Sequence, residues 1–354
     1  MRTFRIAAAV GGALVVIGSG LLFLRASPPP PRSITAVHVM KNRLVNQAGS
    51  PIRLLGVNRS GTEYMCLNSG IFYGPSGIGS VKAMAAWDVN AVRIPLNEDC
   101  WLGINGVRPR YSGMRYRAAI KRYVGLLNAE GIVAILDLHW NAPGGNLATG
   151  QQVMADQSHS PTFWSSVATS FKAVPDVVFD LYNEAWGVSW TCWLDGCHAP
   201  TGWKTAGMQE LVNSVRKVGA TQPIMVGGLN HASDLSDWLH YMPKDPEHQL
   251  IASVHVYNTG GCNNVGCWTS VLQPIAKVVP LVTGEMGEFD CGQNFIDSYM
   301  AWADREGISY LGWAWDAKWS CSAGPSLINT WSGAPTRFGE GLKHHLQALA
   351  QAVG

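Results

Sequence analysis

Two glutamates end apolar runs of the kind that form strands buried on both faces. Residues 177–187 read VVFDLYNEAWG: a short aliphatic and aromatic stretch, then Asn183-Glu184, with Trp186 just beyond. Residues 278–287 (VVPLVTGEMG) repeat the arrangement about 100 positions later and carry Glu285. A carboxylate at the end of a buried strand opposes folding when it is left unpaired. Two such groups facing each other suit acetal hydrolysis: a neutral carboxyl protonates the leaving oxygen while an ionised one attacks the anomeric carbon. On this reading Glu184, beside Asn183 and near several tryptophans, is the acid, its pKa raised by partial desolvation. Glu285 is the nucleophile, kept ionised by the fixed charge of Arg93 and a hydroxyl donor from Tyr257.

The supporting residues also sit at strand ends. Asn183 is placed to donate to the sugar 2-hydroxyl as charge develops. His139 and His255 read either as structural hydrogen bonders or as groups that orient the carboxylates and bind hydroxyls. Trp313 and Trp315 lie two apart, so on one strand they share a face, and one of them forms a floor under the sugar. Of the other carboxylates, Asp137 reads as internal, behind His139, and Glu288 as a loop salt bridge or a contact with a further sugar. There is no nucleophile elbow with a Ser-His-Asp order. Gly74 to Gly79 does not sit directly at a strand-to-helix turn, so it is no phosphate cradle.

Such residues need a scaffold. Apolar runs at 53–57, 91–95, 132–138, 177–181, 223–227, 250–256, 278–285 and 309–315 alternate with helical patterns. Helix 81–87 is expected to start at Ser80, helix 114–130 to stop at Gly131, and short helices to cover 234–241 and 270–277. Alternation implies crossover connections and a parallel sheet. Eight units over roughly 300 residues fit an α/β fold with a closed (β/α)8, or TIM, barrel; an open doubly wound sheet is the alternative. Residues 36–56 read as a short N-terminal β-hairpin leading into it. The polar strand-end residues fall at the C-terminal mouth, where barrel active sites are built.

The totals agree. The 354 residues carry a formal charge of +2, which argues against nucleic acid as a partner. The 15 tryptophans are both core and stacking surfaces for sugar rings. Arg2 and Arg5 precede an uncharged stretch at 6–24, so residues 1–26 read as an export signal or a membrane anchor. Residues 27–33 are a proline-rich linker and 34–354 the catalytic domain, placed outside the cytosol and working as a monomer. The eight cysteines fit that compartment, and their spacing does not fit zinc knuckles. The expected pairs are Cys66–Cys100, Cys192–Cys197, Cys262–Cys267 and Cys291–Cys321, with free buried thiols at some of these positions as the alternative.

The ordered motifs GVNRSGTEY (56–64), AVRIPLNEDCW (91–101), ILDLHWNAPG (135–144), DLYNEAWG (180–187), HVYN (255–258), TGEMGEFDC (283–291) and YLGWAWDAKWSC (310–321) resemble glycoside hydrolase family 5, the retaining cellulase-type family. The resemblance covers residues 37–349. It implies Glu184 as acid/base and Glu285 as nucleophile. Arg93, His139, Asn183, His255, Tyr257 and a strand-eight tryptophan complete the implied site, without a metal or organic cofactor. The substrate class implied is β-1,4-glucan, with β-mannan, another β-glycan or a glycoside as the alternative, and a non-catalytic carbohydrate-binding barrel as the rival. Ala185 departs from the proline or valine common after the acid/base residue, which leaves the subfamily and its substrate open.

Overall fold

The computed structural model describes residues 36–319, 321 and 324–353, together with Met1. The expected export segment and linker lie outside these residues, Met1 apart. Among the described residues no helix is long and apolar enough to cross a membrane.

The chain opens with β1 (His38–Met40), β2 (Arg43–Val45) and β3 (Pro51–Ile52), paired antiparallel in that order. The expected hairpin is therefore a small three-stranded sheet. Its turn is closed by Asn46, whose side chain accepts from the backbone of Ala48 and Ser50. Eight strands follow: β4 (Leu55–Asn58), β5 (Ala91–Asn97), β6 (Val133–Trp140), β7 (Val177–Asp180), β8 (Ile224–Gly227), β9 (Leu250–Tyr257), β10 (Leu281–Gly287) and β11 (Ser309–Gly312). Each pairs in parallel with its neighbours, and β11 returns to β4 to close the barrel. Helices such as Met114–Ala129, Ser160–Phe171, Met208–Arg216, Asn294–Glu306 and Arg337–Val353 fill the connections.

Two-residue alternation explains what the barrel holds. One apolar cluster gathers Ala91, Val133, Ile135, Val178, Met225, Ile251, Val282 and Leu311 with Val37 and Leu44 of the N-terminal segment. It fills the barrel's N-terminal half. Two residues further along several strands the same face turns polar: Arg93 after Ala91, Asp137 and His139 after Ile135, Asp180 after Val178, and Ser253, His255 and Tyr257 after Ile251. The second, larger cluster lies between strands and helices. Seven tryptophans are fully buried. Three of them pin strand ends, with Trp164 donating to the Leu181 carbonyl, Trp238 to Val226 and Trp193 to Gly227.

Several local expectations are corrected. The helix expected at 81–87 is Ile78–Ala85, and Ser80 lies inside it, donating back to the Gly77 carbonyl. No helix forms at 234–241; a one-turn element, Leu229–Ala232, precedes it. The region expected as helix 270–277 is broken into Trp268–Leu272 and Gln273–Ala276. The last strand stops at Gly312 rather than at 315.

Candidate active site

Arg93, from β5, is the hub of the barrel mouth. Its guanidinium donates to Asp180 (2.8 Å), Asn58 (3.1 Å), Glu285 (2.8 Å) and Asn183 (2.8 Å), and pairs with Asp137 at 3.1 Å. One fully buried cation thereby ties together five strands or strand ends. Register puts its acidic partners side by side, since Asp137 faces Asp180 across β6 and β7. One positive charge cannot neutralise three buried carboxylates. Burial accordingly pushes Asp137 up to about 7 and Asp180 up to about 6, despite the pull of Arg93.

Glu285 is buried and its two oxygens are engaged separately. Oε1 accepts from Arg93, and Oε2 accepts from the Tyr257 hydroxyl at 2.6 Å. Burial and the facing carboxylates push the Tyr257 hydroxyl far above the ordinary tyrosine range, so it remains a donor. Glu184 lies opposite. Its Oε1 accepts from His255 Nδ1 at 2.9 Å, and the same nitrogen lies 3.6 Å from Glu285 Oε2. One donor atom each of Glu184, His255 and Glu285 lies within 4.8 Å of the other two. That spacing could also bridge a divalent cation, but the imidazole would have to surrender the Nδ1 proton it donates to Glu184.

The expected raised pKa of Glu184 is not met. Burial acts to raise it, but the nearby imidazoles of His231 and His255 outweigh burial and hold the carboxyl below its ordinary value. In return His255, despite the opposing effect of burial, is raised by the charges of Glu285 and Glu184. The proton of this buried pair therefore rests on the imidazole side.

The other expected residues divide. His139 bonds Asp137 through Nδ1 at 2.6 Å and stacks on Trp313, ring centroids 5.4 Å apart and planes 8° from parallel. Burial keeps its pKa below the ordinary histidine value. Asn183 accepts from Arg93 and donates to Gln151 at 2.6 Å. With Gln151, Thr259, Gly260 and Phe289, these groups line an open cleft of about 360 Å³. Trp315 is not part of it. The indole is fully buried and packs edge-on against Trp87 at 4.8 Å, because the strand, and with it the alternation, ends at Gly312. Glu288 is neither loop salt bridge nor sugar contact: it is buried and accepts from the backbone of Phe295 and Ile296 at a helix start.

Gln151 and His231 were not anticipated. Gln151 also donates to the Glu184 carbonyl, and His231 approaches the outer Glu184 oxygen. Both come from loops without periodicity, where residue type alone carries no signal. The four disulfides join the expected pairs and tie down segments around this mouth. A larger cavity, about 480 Å³, lies against the N-terminal sheet; there Asp304 is engaged by Arg53 and His345, and Glu306 by Gln273.

Residues 45–319 match the family model described as Cellulase (glycosyl hydrolase family 5). A mannan endo-1,4-beta-mannosidase of Streptomyces lividans is 25% identical over 313 residues, 84% of this chain and 71% of that protein. Endoglucanase N of Pectobacterium atrosepticum is 20% identical over 321 residues, 89% of this chain and 65% of its own length. Among solved structures, a beta-glucanase of Saccharophagus degradans in complex with cellotetraose superposes with a TM-score of 0.69 at 18% identity, covering 92% of this chain and 99% of that one. The family model covers well over half of the chain, so the chain belongs to glycosyl hydrolase family 5, and it is a glycosidase of cellulase or mannanase type.

Proposed function

We propose that the chain is a retaining endo-β-1,4-glucanase acting by double displacement outside the cytosol, with residues 34–354 as its catalytic domain. The observation that carries this is the approach of Glu184 and Glu285, with one oxygen of each within 4.8 Å and His255 between them. Carboxyl groups about 5–5.5 Å apart leave room for an anomeric carbon, whereas inversion needs about 6.5–9.5 Å to admit a water.

Glu285 attacks, its charge held by Arg93 and aimed by Tyr257. Glu184 protonates the leaving oxygen and then deprotonates the water that releases the sugar. Its proton is recovered from the pair it forms with His255. Asn183, fixed between Arg93 and Gln151, faces the 2-hydroxyl, and Trp313 on His139 forms the floor of the cleavage subsite. Four disulfides suit an oxidising compartment.

Glucan as substrate is supported by the likeness to endoglucanases and to a glucanase solved with cellotetraose. Mannan is the second reading, favoured by two mannan endo-1,4-beta-mannosidases at 25% identity. Turnover on a panel of cello- and manno-oligosaccharides separates the two. Glu184→Gln and Glu285→Gln should each lower turnover by roughly three orders of magnitude or more while the protein stays folded. Proton NMR of the first product should give the β-anomer. An α-anomer first, or near-normal turnover in either variant, refutes the mechanism.

A further inference from the structure

Next to Glu184 lies a short segment whose backbone is strained and whose purpose the reaction as described does not explain. Asn230, His231 and Ala232 all have positive φ (51°, 57° and 55°), a run of three non-glycine residues in the left-handed region. Such conformations persist where surrounding structure imposes them. Here Leu229 and Asp234 exchange backbone hydrogen bonds at 3.0 Å each, and Ser233 donates to the Asn230 carbonyl at 2.6 Å. The His231 amide donates to the carbonyl of Ala185, the residue after Glu184, at 3.0 Å. The loop is thus stitched to the strand end that carries the candidate acid.

The result is a placed imidazole. His231 Nδ1 lies 3.4 Å from Glu184 Oε2, the oxygen that His255 does not use. Its ring stacks on Trp186, centroids 5.7 Å apart and planes 18° from parallel. The His231 side chain is 55% exposed, that of His255 1%. The titratable groups that act on it are Glu184 from the end of β7 and His255 of β9, and those that act on Glu184 are His231, His255 and His139 of β6. On its own loop there is Asp234, which is occupied with the backbone of Ser236.

We propose that His231 is a positioning residue that controls when Glu184 holds its proton. This rests on the reading of Glu184 as the acid/base. Before saccharide binds, the imidazole faces Oε2 at 3.4 Å and keeps the carboxyl ionised and correctly turned. A saccharide ring arriving on the leaving-group side parts the exposed imidazole from Oε2. The lost attraction raises the proton affinity of Glu184 at the moment an acid is needed, and the buried His255 supplies the proton through Nδ1. The direction agrees with the electrostatics: among the groups lowering Glu184 the His231 imidazole acts most strongly, and Glu184 raises His231 in return.

The test uses the whole chain. His231→Asn keeps a residue that tolerates left-handed backbone but is too short to reach Oε2. In kcat/KM against pH on an unactivated oligosaccharide, the basic limb reports loss of the acid's proton. It should move up by about one pH unit in the variant, a tenfold change in proton affinity. By reciprocity, the His231 imidazole, followed by NMR, should titrate above the ordinary histidine value in the wild type and fall back towards it in Glu184→Gln. That second readout stands even if His231→Asn fails to fold. An unmoved basic limb in folded His231→Asn, or a His231 titration unchanged by Glu184→Gln, overturns the proposal. The acid/base reading fails separately: if Glu184→Gln lowers kcat/KM for an aryl glycoside with a good leaving group as much as for the oligosaccharide, Glu184 is not the acid.

Discussion

At the scale of single residues, the two glutamates at the barrel mouth differ in their partners. Glu285 has both oxygens engaged by strong donors, and Glu184 shares a proton with imidazoles. Tyr257 is the donor whose removal is easiest to interpret. Tyr257→Phe keeps the ring and deletes one hydrogen bond to Glu285 Oε2. A hydrogen bond to a charged group contributes about 1.5–3 kcal/mol, so kcat should fall about 10- to 150-fold with KM little changed. Steady-state kinetics at saturating oligosaccharide measures this. A larger loss accompanied by a lower melting temperature would show that the hydroxyl holds the fold instead. Asp137 was legible as an internal group because it precedes His139 by two positions on one strand. His231 was not, since nothing in a loop sequence reveals a left-handed backbone.

At the scale of elements, β9 and β10 hold Glu285 against His255 and Tyr257. Their register places Glu285 opposite His255 and Gly287 opposite Tyr257. A glycine is required at 287 because a Cβ there would lie 2.4 Å from the Tyr257 ring. Gly287→Ala should therefore turn the phenol away from Glu285 and lower kcat about as far as Tyr257→Phe does. The double variant should be hardly slower than either single one, since both remove the same contact. Additive losses would mean that Gly287 acts by another route. The strand assignments were readable from runs of buried aliphatic residues. Their ends were less so, and Trp315 shows the consequence: a period-two argument carried past Gly312 placed in the cleft a side chain that belongs to the core.

At the scale of the whole molecule, the barrel brings together groups far apart in the chain and the disulfides hold the loops around them. Cys66–Cys100 and Cys291–Cys321 close loops of 34 and 30 positions, and the other two close loops of 5. Chain entropy then assigns about 3.7 kcal/mol to each long bridge and about 2 to each short one. Cys66→Ala/Cys100→Ala should lower the chemical-denaturation stability more than Cys192→Ala/Cys197→Ala does; the reverse order would show that the short bridges work through local geometry rather than loop closure. Alternating strands and helices were sufficient by themselves to determine the barrel class, and two strand-end glutamates and eight cysteines to name the candidate carboxylate pair and the expected bridges, because each depends on periodicity, residue type or spacing along one chain. The protonation of Glu184, the burial of Trp315 and the contact with His231 were decided only in three dimensions. A pKa depends on which donors and charges come within a few ångströms, and residues that are remote in sequence become neighbours only when the barrel closes.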